Sequence, residues 1–197
     1  MKASGWMSAA LMALLLAACA GTTPAPQRYT LPDAPAGETA GAEAPHRLLL
    51  RPPRLADYLD VDGLIMQMDD ITLVEARGHQ WAEALGRQLQ RGLRDRLATA
   101  LPETRVQLDE PGGREAQALT LGLEINRFQG RHDGLAVIGG RWRLHAPDGR
   151  LLAEDALRVE TELAADGYPA LVRALGRGLD SAAERLAAAI RAARQEE

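Results

Sequence analysis

Cysteine is almost missing from this chain. Cys19 is the only one in 197 residues, which excludes an internal disulfide, a cysteine zinc cluster and a CxxC redox pair. Lysine is equally scarce: Lys2 is the sole example, so the later formal cations are all arginine. Beyond residue 18, 22 arginines stand against 27 aspartates and glutamates, a mildly acidic balance of −5. No basic stretch stands out, so no nucleic-acid partner is expected. Aromatic residues make up only 4% of the chain, too few for a base-stacking platform. No segment approaches the roughly 18 consecutive apolar residues of a spanning helix.

Signatures of catalysis are lacking as well. His46, His79, His132 and His145 are scattered, without HExxH or carboxylates at ligand spacing. The stretch DYLDVDG (57–63) hints at a calcium loop. Aligned on Gly63, however, the first ligand position is Tyr58 and the twelfth is Asp69, where Asp and Glu are needed. It reads as a solvated acidic turn. Gly112-Gly113-Arg114 and Gly139-Gly140 lack the Lys and Ser/Thr of a phosphate-binding loop and read as a turn and a flexible point in a strand. Ser181 has no G-x-S-x-G around it. Nothing assembles a nucleophile, a base and an oxyanion donor, so no enzyme, no metal and no cofactor are expected.

What is present begins at the N-terminus. Lys2 gives a positive start, Trp6 to Leu16 a short apolar run, and Ala17 and Ala18 a small-residue close. This is the layout of a secretory signal. Leu16-Ala17-Ala18-Cys19 also resembles the bacterial lipobox, in which the cysteine sulfur takes a diacylglycerol and the peptide is cut just before it. An ordinary signal peptide would export an unpaired thiol to an oxidising compartment, whereas a thioether is inert. Cys19 is therefore expected to be the lipid-attachment residue and the membrane anchor. One acyl chain holds only marginally, and several hold stably. Ala20 follows the cysteine where aspartate tends to retain Gram-negative lipoproteins in the inner membrane. It points to the periplasmic face of the outer membrane.

The expected organisation is a signal peptide over 1–18, a lipidated tether over 19–27 and one domain over 28–197. Short strands are expected at 28–32 and 46–53, with a low-hydrophobicity loop over 33–45 between them. Strands at 64–68 and 71–75 flank a hairpin turn at Asp69-Asp70. In 80–102, Leu85, Leu89, Leu93, Leu97 and Leu101 recur every fourth residue behind Trp81, the mark of an amphipathic helix. Trp81 is expected to pack in the core between that helix and the sheet. Gly86 and Gly92 cost helix propensity and point to a close approach by a neighbour.

Three alternating segments follow, at 118–128, 135–146 and 151–163. Leu119, Leu121, Leu123 and Ile125 share one face of the first. Ile138, Trp142 and Leu144 share one face of the second, with Arg141, Arg143 and His145 on the other. Leu157, Val159, Thr161 and Leu163 do the same in the third. Period two of this kind marks a sheet with one wet face, and Arg141 and Arg143 are expected to pair with Glu160 and Glu162 across it. A second helix is expected over 166–195, with Asp166 as its cap. The fold class is α+β: a mostly antiparallel sheet with two amphipathic helices packed on one face.

With these elements placed, the chain resembles the PqiC family of ABC-type transport auxiliary lipoproteins, which includes YmbA. The similarity rests on Tyr29-Thr30-Leu31 soon after the lipobox cysteine and on RPPRLADYLDVDGLIMQM (51–68). It continues through the tryptophan-led segment 81–102, LEINRFQG (123–130), GRWRL (140–144) and the closing helix 166–190. The loop 33–45 is longer than usual, and IMQM (65–68) departs from the family's strand. The resemblance implies a non-enzymatic lipoprotein of an intermembrane lipid transport system, supporting envelope integrity. It further implies a PqiB-like MCE-domain protein as partner, a homo-oligomeric ring, and no cofactor beyond the covalent lipid on Cys19. A structural envelope lipoprotein without a transport role is the alternative.

Overall fold

The computed structural model describes residues 25–38, 40, 41, 43–109 and 117–195. The leader, Cys19 and the turn at 112–114 lie outside the described residues. In chain order the elements are β1 (Gln27–Tyr29), β2 (His46–Leu50), β3 (Arg54–Leu55), β4 (Gly63–Gln67), β5 (Leu73–Trp81), α1 (Leu85–Ala100), β6 (Thr104–Leu108), β7 (Leu119–Arg131), β8 (Leu135–His145), β9 (Leu151–Glu162) and α2 (Tyr168–Gln195). A 3-10 turn at Asp57–Leu59 lies between β3 and β4.

The sheet is organised around β7. One edge of this strand carries β8 along almost its whole length, and β9 continues beyond β8, both antiparallel. The other edge is shared in succession by β2, β3 and β4, each parallel to it over two or three residues. Beyond them lie β6 on β2 and β5 on β4, with β1 at the outer edge of β5. The long ladders are antiparallel because their strands are joined by tight turns. Gly134 at φ +82° and Gly149 at φ +88° take the left-handed conformation those turns require. The short parallel ladders come from chain segments far apart in sequence. The result is an α+β fold on a mixed sheet.

Both helices cover the same sheet face. In α1, Leu85, Leu89, Leu93 and Leu97 are fully buried, and in α2 so are Leu175, Leu179, Ala182, Leu186 and Ile190. These positions repeat at three- and four-residue spacing, so each helix turns one stripe inward. α2 packs on β7, β8 and β9, while α1 packs on α2 and β6. Gly92 faces Arg96 and α2: a Cβ there would sit 3.2 Å from Arg96 Nη1 and in ordinary contact, 3.4 Å, with Leu179 Cδ2.

The core face of β7 is kept continuous by a bulge. Leu119, Leu121, Leu123 and Ile125 face the helices, as the alternation predicts. The register then shifts between Ile125 and Arg127. The shift changes parity, so Phe128, which strict alternation would place on the wet face, returns to the core and is buried. Gly140 makes room for the bulge, because a Cβ there would overlap the Glu124 carbonyl oxygen. The Gly139-Gly140 pair is thus a packing requirement of the bulge.

Three local expectations are corrected. The first helix begins at Leu85 rather than Gln80. Trp81 is the last residue of β5, its N–H bonded to the Asp62 carbonyl, and the next N–H bonds the Tyr29 carbonyl. Pairing with distant segments holds 80–82 extended against local helix pattern. The residue directly ahead of α2 is Gly167 at φ +96°, whose carbonyl accepts the Ala170 and Leu171 N–H groups, so Asp166 lies one position too early to cap. Finally, Arg141 and Arg143 do not pair with Glu160 and Glu162. The turn at 146–150 fixes a register that sets Arg143 opposite Glu154 and Arg141 opposite Ala156.

Candidate functional site

The N-terminal segment enters the body along a line of polar contacts. The Tyr29 hydroxyl and His79 Nδ1 are 2.8 Å apart, and His79 stacks on Tyr168 with ring centroids 3.9 Å apart. Desolvation, with Tyr168 adding a smaller effect, holds the Tyr29 phenol above its usual pKa. The Leu31 N–H donates to Gln88 Oε1 at 2.8 Å. Arg96, only 3% exposed, donates through Nη2 to the carbonyls of Pro32 and Asp33, through Nη1 to Gly92 O and through Nε to Asp180. The segment leaving the expected tether is therefore clamped to both helices. Sequence reading missed this clamp, because Arg96 looks like one more exposed arginine on a helix.

Trp81 lies where the core expectation put it, although on a strand. It is 5% exposed and meets Phe128 with ring centroids 6.0 Å apart at 47°. Its indole is not presented to a ligand.

The helix-free face of the sheet is a lattice of arginines and carboxylates. Arg143 bridges Glu124 and Glu154, each at 3.1 Å. Arg131 bridges Asp133 and Glu160, each at 2.9 Å, and these hydrogen bonds raise its pKa while lowering that of Asp133. Beside them, Arg127, Arg141 and Arg158 line an open concavity of about 580 Å³ floored by Gly139 and Gly140. Such a surface suits docking of a polar or anionic group. It holds no nucleophile with a base beside it.

The structure does not bring the four histidines together. His79 serves the N-terminal contact, His46 opens β2, His132 follows β7 and His145 ends β8. Among the described residues no three His, Cys, Asp or Glu side chains gather as a metal site. The 57–63 stretch forms the 3-10 turn, whose Tyr58 hydroxyl donates to the Asn126 carbonyl and lies 3.0 Å from Gln129 Oε1. Burial raises the Tyr58 phenol pKa. Ser181 lies within α2. Among the described residues no helix is long and apolar enough to cross a membrane. Cys19, the one site residue expected from sequence, lies outside the described residues.

One surface had no sequence signal. The β4–β5 hairpin ends in a cluster of exposed apolar side chains: Met68 (52% exposed), Ile71 (86%), Leu73 (40%) and Val74 (47%). In the sequence, apolar residues flanking a turn read as strand core.

Comparison with known proteins gives three findings. Residues 29–187 match the family model described as the ABC-type transport auxiliary lipoprotein component. The intermembrane transport lipoprotein PqiC of Escherichia coli K12 is 33% identical over 166 residues, covering 84% of this chain and 86% of that protein. Among solved structures, a crystal structure of an uncharacterized protein superposes with a TM-score of 0.74 at 28% identity, covering 85% of this chain and 99% of that one. A protein from Xanthomonas campestris has a TM-score of 0.65 at 18% identity, covering 89% and 98%; it shares the fold.

Proposed function

Because this chain belongs to the ABC-type transport auxiliary lipoprotein family, we propose that it is an outer-membrane lipoprotein of an MCE-type intermembrane lipid transport system. In this reading the diacylglycerol on Cys19 anchors it to the periplasmic face of the outer membrane. The domain docks the distal end of a periplasm-spanning, PqiB-like MCE-domain protein, working as a homo-oligomeric ring, and so supports envelope integrity.

The observation that carries the reading is the extent of the match. The similarity to a protein named as an intermembrane transport lipoprotein covers 166 residues, 84% of the chain, and the family model spans 29–187, from the end of β1 into α2, rather than one motif. The arginine–carboxylate face is consistent with a docking role, since rims of this kind steer and register a partner. The clamp at Arg96 supports it too, because the body is held rigidly against the segment that leads to the anchor.

The test is co-purification of the lipidated chain with its MCE-domain protein from envelopes solubilised in mild detergent, followed by measurement of labelled phospholipid transfer between vesicles carrying the two components. The expected result is a stable complex and transfer that depends on both. A chain that stays in the outer membrane but binds no MCE-domain protein would favour the structural envelope lipoprotein instead.

A further inference from the structure

The tip of the β4–β5 hairpin is an apolar arm with an unusual distribution. Leu73 and Val74 are consecutive strand residues, so they point to opposite faces of the arm, yet both are exposed. Ile71 lies in the turn, and Met68 pairs across it with Thr72; both Ile71 and Met68 are exposed. A flat protein surface would cover only one face of a two-stranded arm. A lipid interface surrounds it.

Several polar groups of the tip are paired within the tip. Asp69 Oδ1 accepts the N–H groups of Ile71 at 2.9 Å and Thr72 at 2.7 Å. Gln67 Nε2 donates to the Asp69 carbonyl at 2.9 Å, and the Met68 N–H donates to the Thr72 carbonyl at 2.9 Å. A turn entering a region poor in water gains from closing backbone bonds internally, and these contacts close the N–H groups of Met68, Ile71 and Thr72. Asp70, next to Ile71, is exposed, a charge that would stay at headgroup level if the tip met a bilayer.

The direction of the chain supplies the occupant. β1 runs parallel to β5, with Gln27 beside His79 and Tyr29 beside Trp81. The chain preceding Gln27 therefore enters β1 from the side of the hairpin tip. His79 and Ile71 are eight residues apart, roughly 26 Å at about 3.3 Å per residue. Cys19 and Gln27 are also eight residues apart, a reach of at most about 28 Å. An anchor on Cys19 and the apolar tip can thus meet the same bilayer surface.

We propose that the β4–β5 tip, through Met68, Ile71, Leu73 and Val74, inserts into the interfacial layer of the phospholipid bilayer that holds the anchor, orienting the domain on the membrane. The inference rests on the reading of Cys19 as the lipidated residue. Alone, a single lipidated point leaves a domain free to tumble on its tether. A second, apolar contact at the tip fixes which end of the sheet faces the periplasm.

The experiment uses the full lipidated chain reconstituted into vesicles of phosphatidylethanolamine and phosphatidylglycerol, with and without brominated acyl chains. Trp81 and Trp142 are buried and give a constant background. The variant Ile71→Trp is compared with Ala188→Trp, an exposed position on α2. Flotation with the vesicles, together with bromine-dependent quenching and a blue shift at position 71 but not at 188, is the expected result. Flotation without quenching at position 71 overturns the insertion and leaves the anchor intact. A blue shift at 71 that is indifferent to bromine assigns the tip to a protein neighbour and also overturns it. Failure to float shows that the anchor reading is wrong, and the inference falls with it.

Discussion

Arg96 of the first helix and Asp180 of the second are joined by a hydrogen-bonded ion pair, Nε to Oδ1 at 2.6 Å, with the arginine side chain almost wholly buried and the aspartate about one-third exposed. The same guanidinium holds the Pro32 and Asp33 carbonyls. One planar fork thereby ties two helices and the N-terminal segment together, a geometry that lysine's single ammonium cannot reproduce.

Arg96→Met is therefore expected to destabilise the domain. Removing one member of a buried pair costs about 3–5 kcal/mol, and Asp180 can still reach water, so the low end applies. At roughly 2–4 °C per kcal/mol for a domain of this size, thermal unfolding should shift down by about 6–12 °C. Arg96→Lys should recover only part of the loss. An unchanged melting temperature in Arg96→Met would remove the clamp from the account.

Trp81→Ala should lower stability by about 3–5 kcal/mol, as large-to-small changes at buried aromatics do. Binding of an MCE-domain partner should then fail only where the domain has unfolded. Calorimetry and binding measured on one preparation decide the matter. Lost binding with an intact melting transition would make Trp81 an interface residue.

Gly140→Ala places a Cβ against the Glu124 carbonyl. The β7 bulge has to shift to admit it, and overpacking of this kind typically costs about 1–3 kcal/mol. Gly149→Ala, where a Cβ meets nothing within 4 Å but φ is positive, should cost less and leave the bulge intact. Denaturant midpoints of the two variants give the comparison, and equal midpoints would contradict it.

Asp69 titrates below the usual carboxylate value because the Ile71 and Thr72 N–H groups donate to it. Its folded pKa is lower than its unfolded one, so it steadies the turn above the unfolded value and ceases to do so as pH falls through the folded one. Amide exchange at Ile71 and Thr72 should accelerate on acidification below about pH 4, relative to the β7 amides. In Asp69→Ala that pH dependence should vanish.

Cys19→Ala should leave an uncleaved, unacylated precursor, and Ala20→Asp should move the chain toward the inner membrane without unfolding it. Palmitate labelling and membrane fractionation read the two outcomes. Normal processing of Cys19→Ala would defeat the anchor assignment, and identical fractions for Ala20→Asp would defeat the sorting claim.

The sequence by itself determined the parts whose information is local. The leucine repeat of α1, the spacing of α2 and the alternation in β7, β8 and β9 each carry their own period, and a period survives without knowledge of the neighbours. The lipidation proposed at Cys19 would be local too, since a lipobox is read in a few consecutive residues. Tertiary structure decided whatever depends on pairing across the chain. Trp81 has a helical neighbourhood but stays in a strand, because Asp62 and Tyr29 offer its segment backbone bonds that a helix would forgo. Arg143 meets Glu124 and Glu154 because turn length, not charge, fixes strand register. Phe128 reaches the core only through a bulge that Gly140 permits. The apolar tip at Ile71 is exposed because its arm extends past the surface the helices cover, and no pattern along a single strand states where that cover ends.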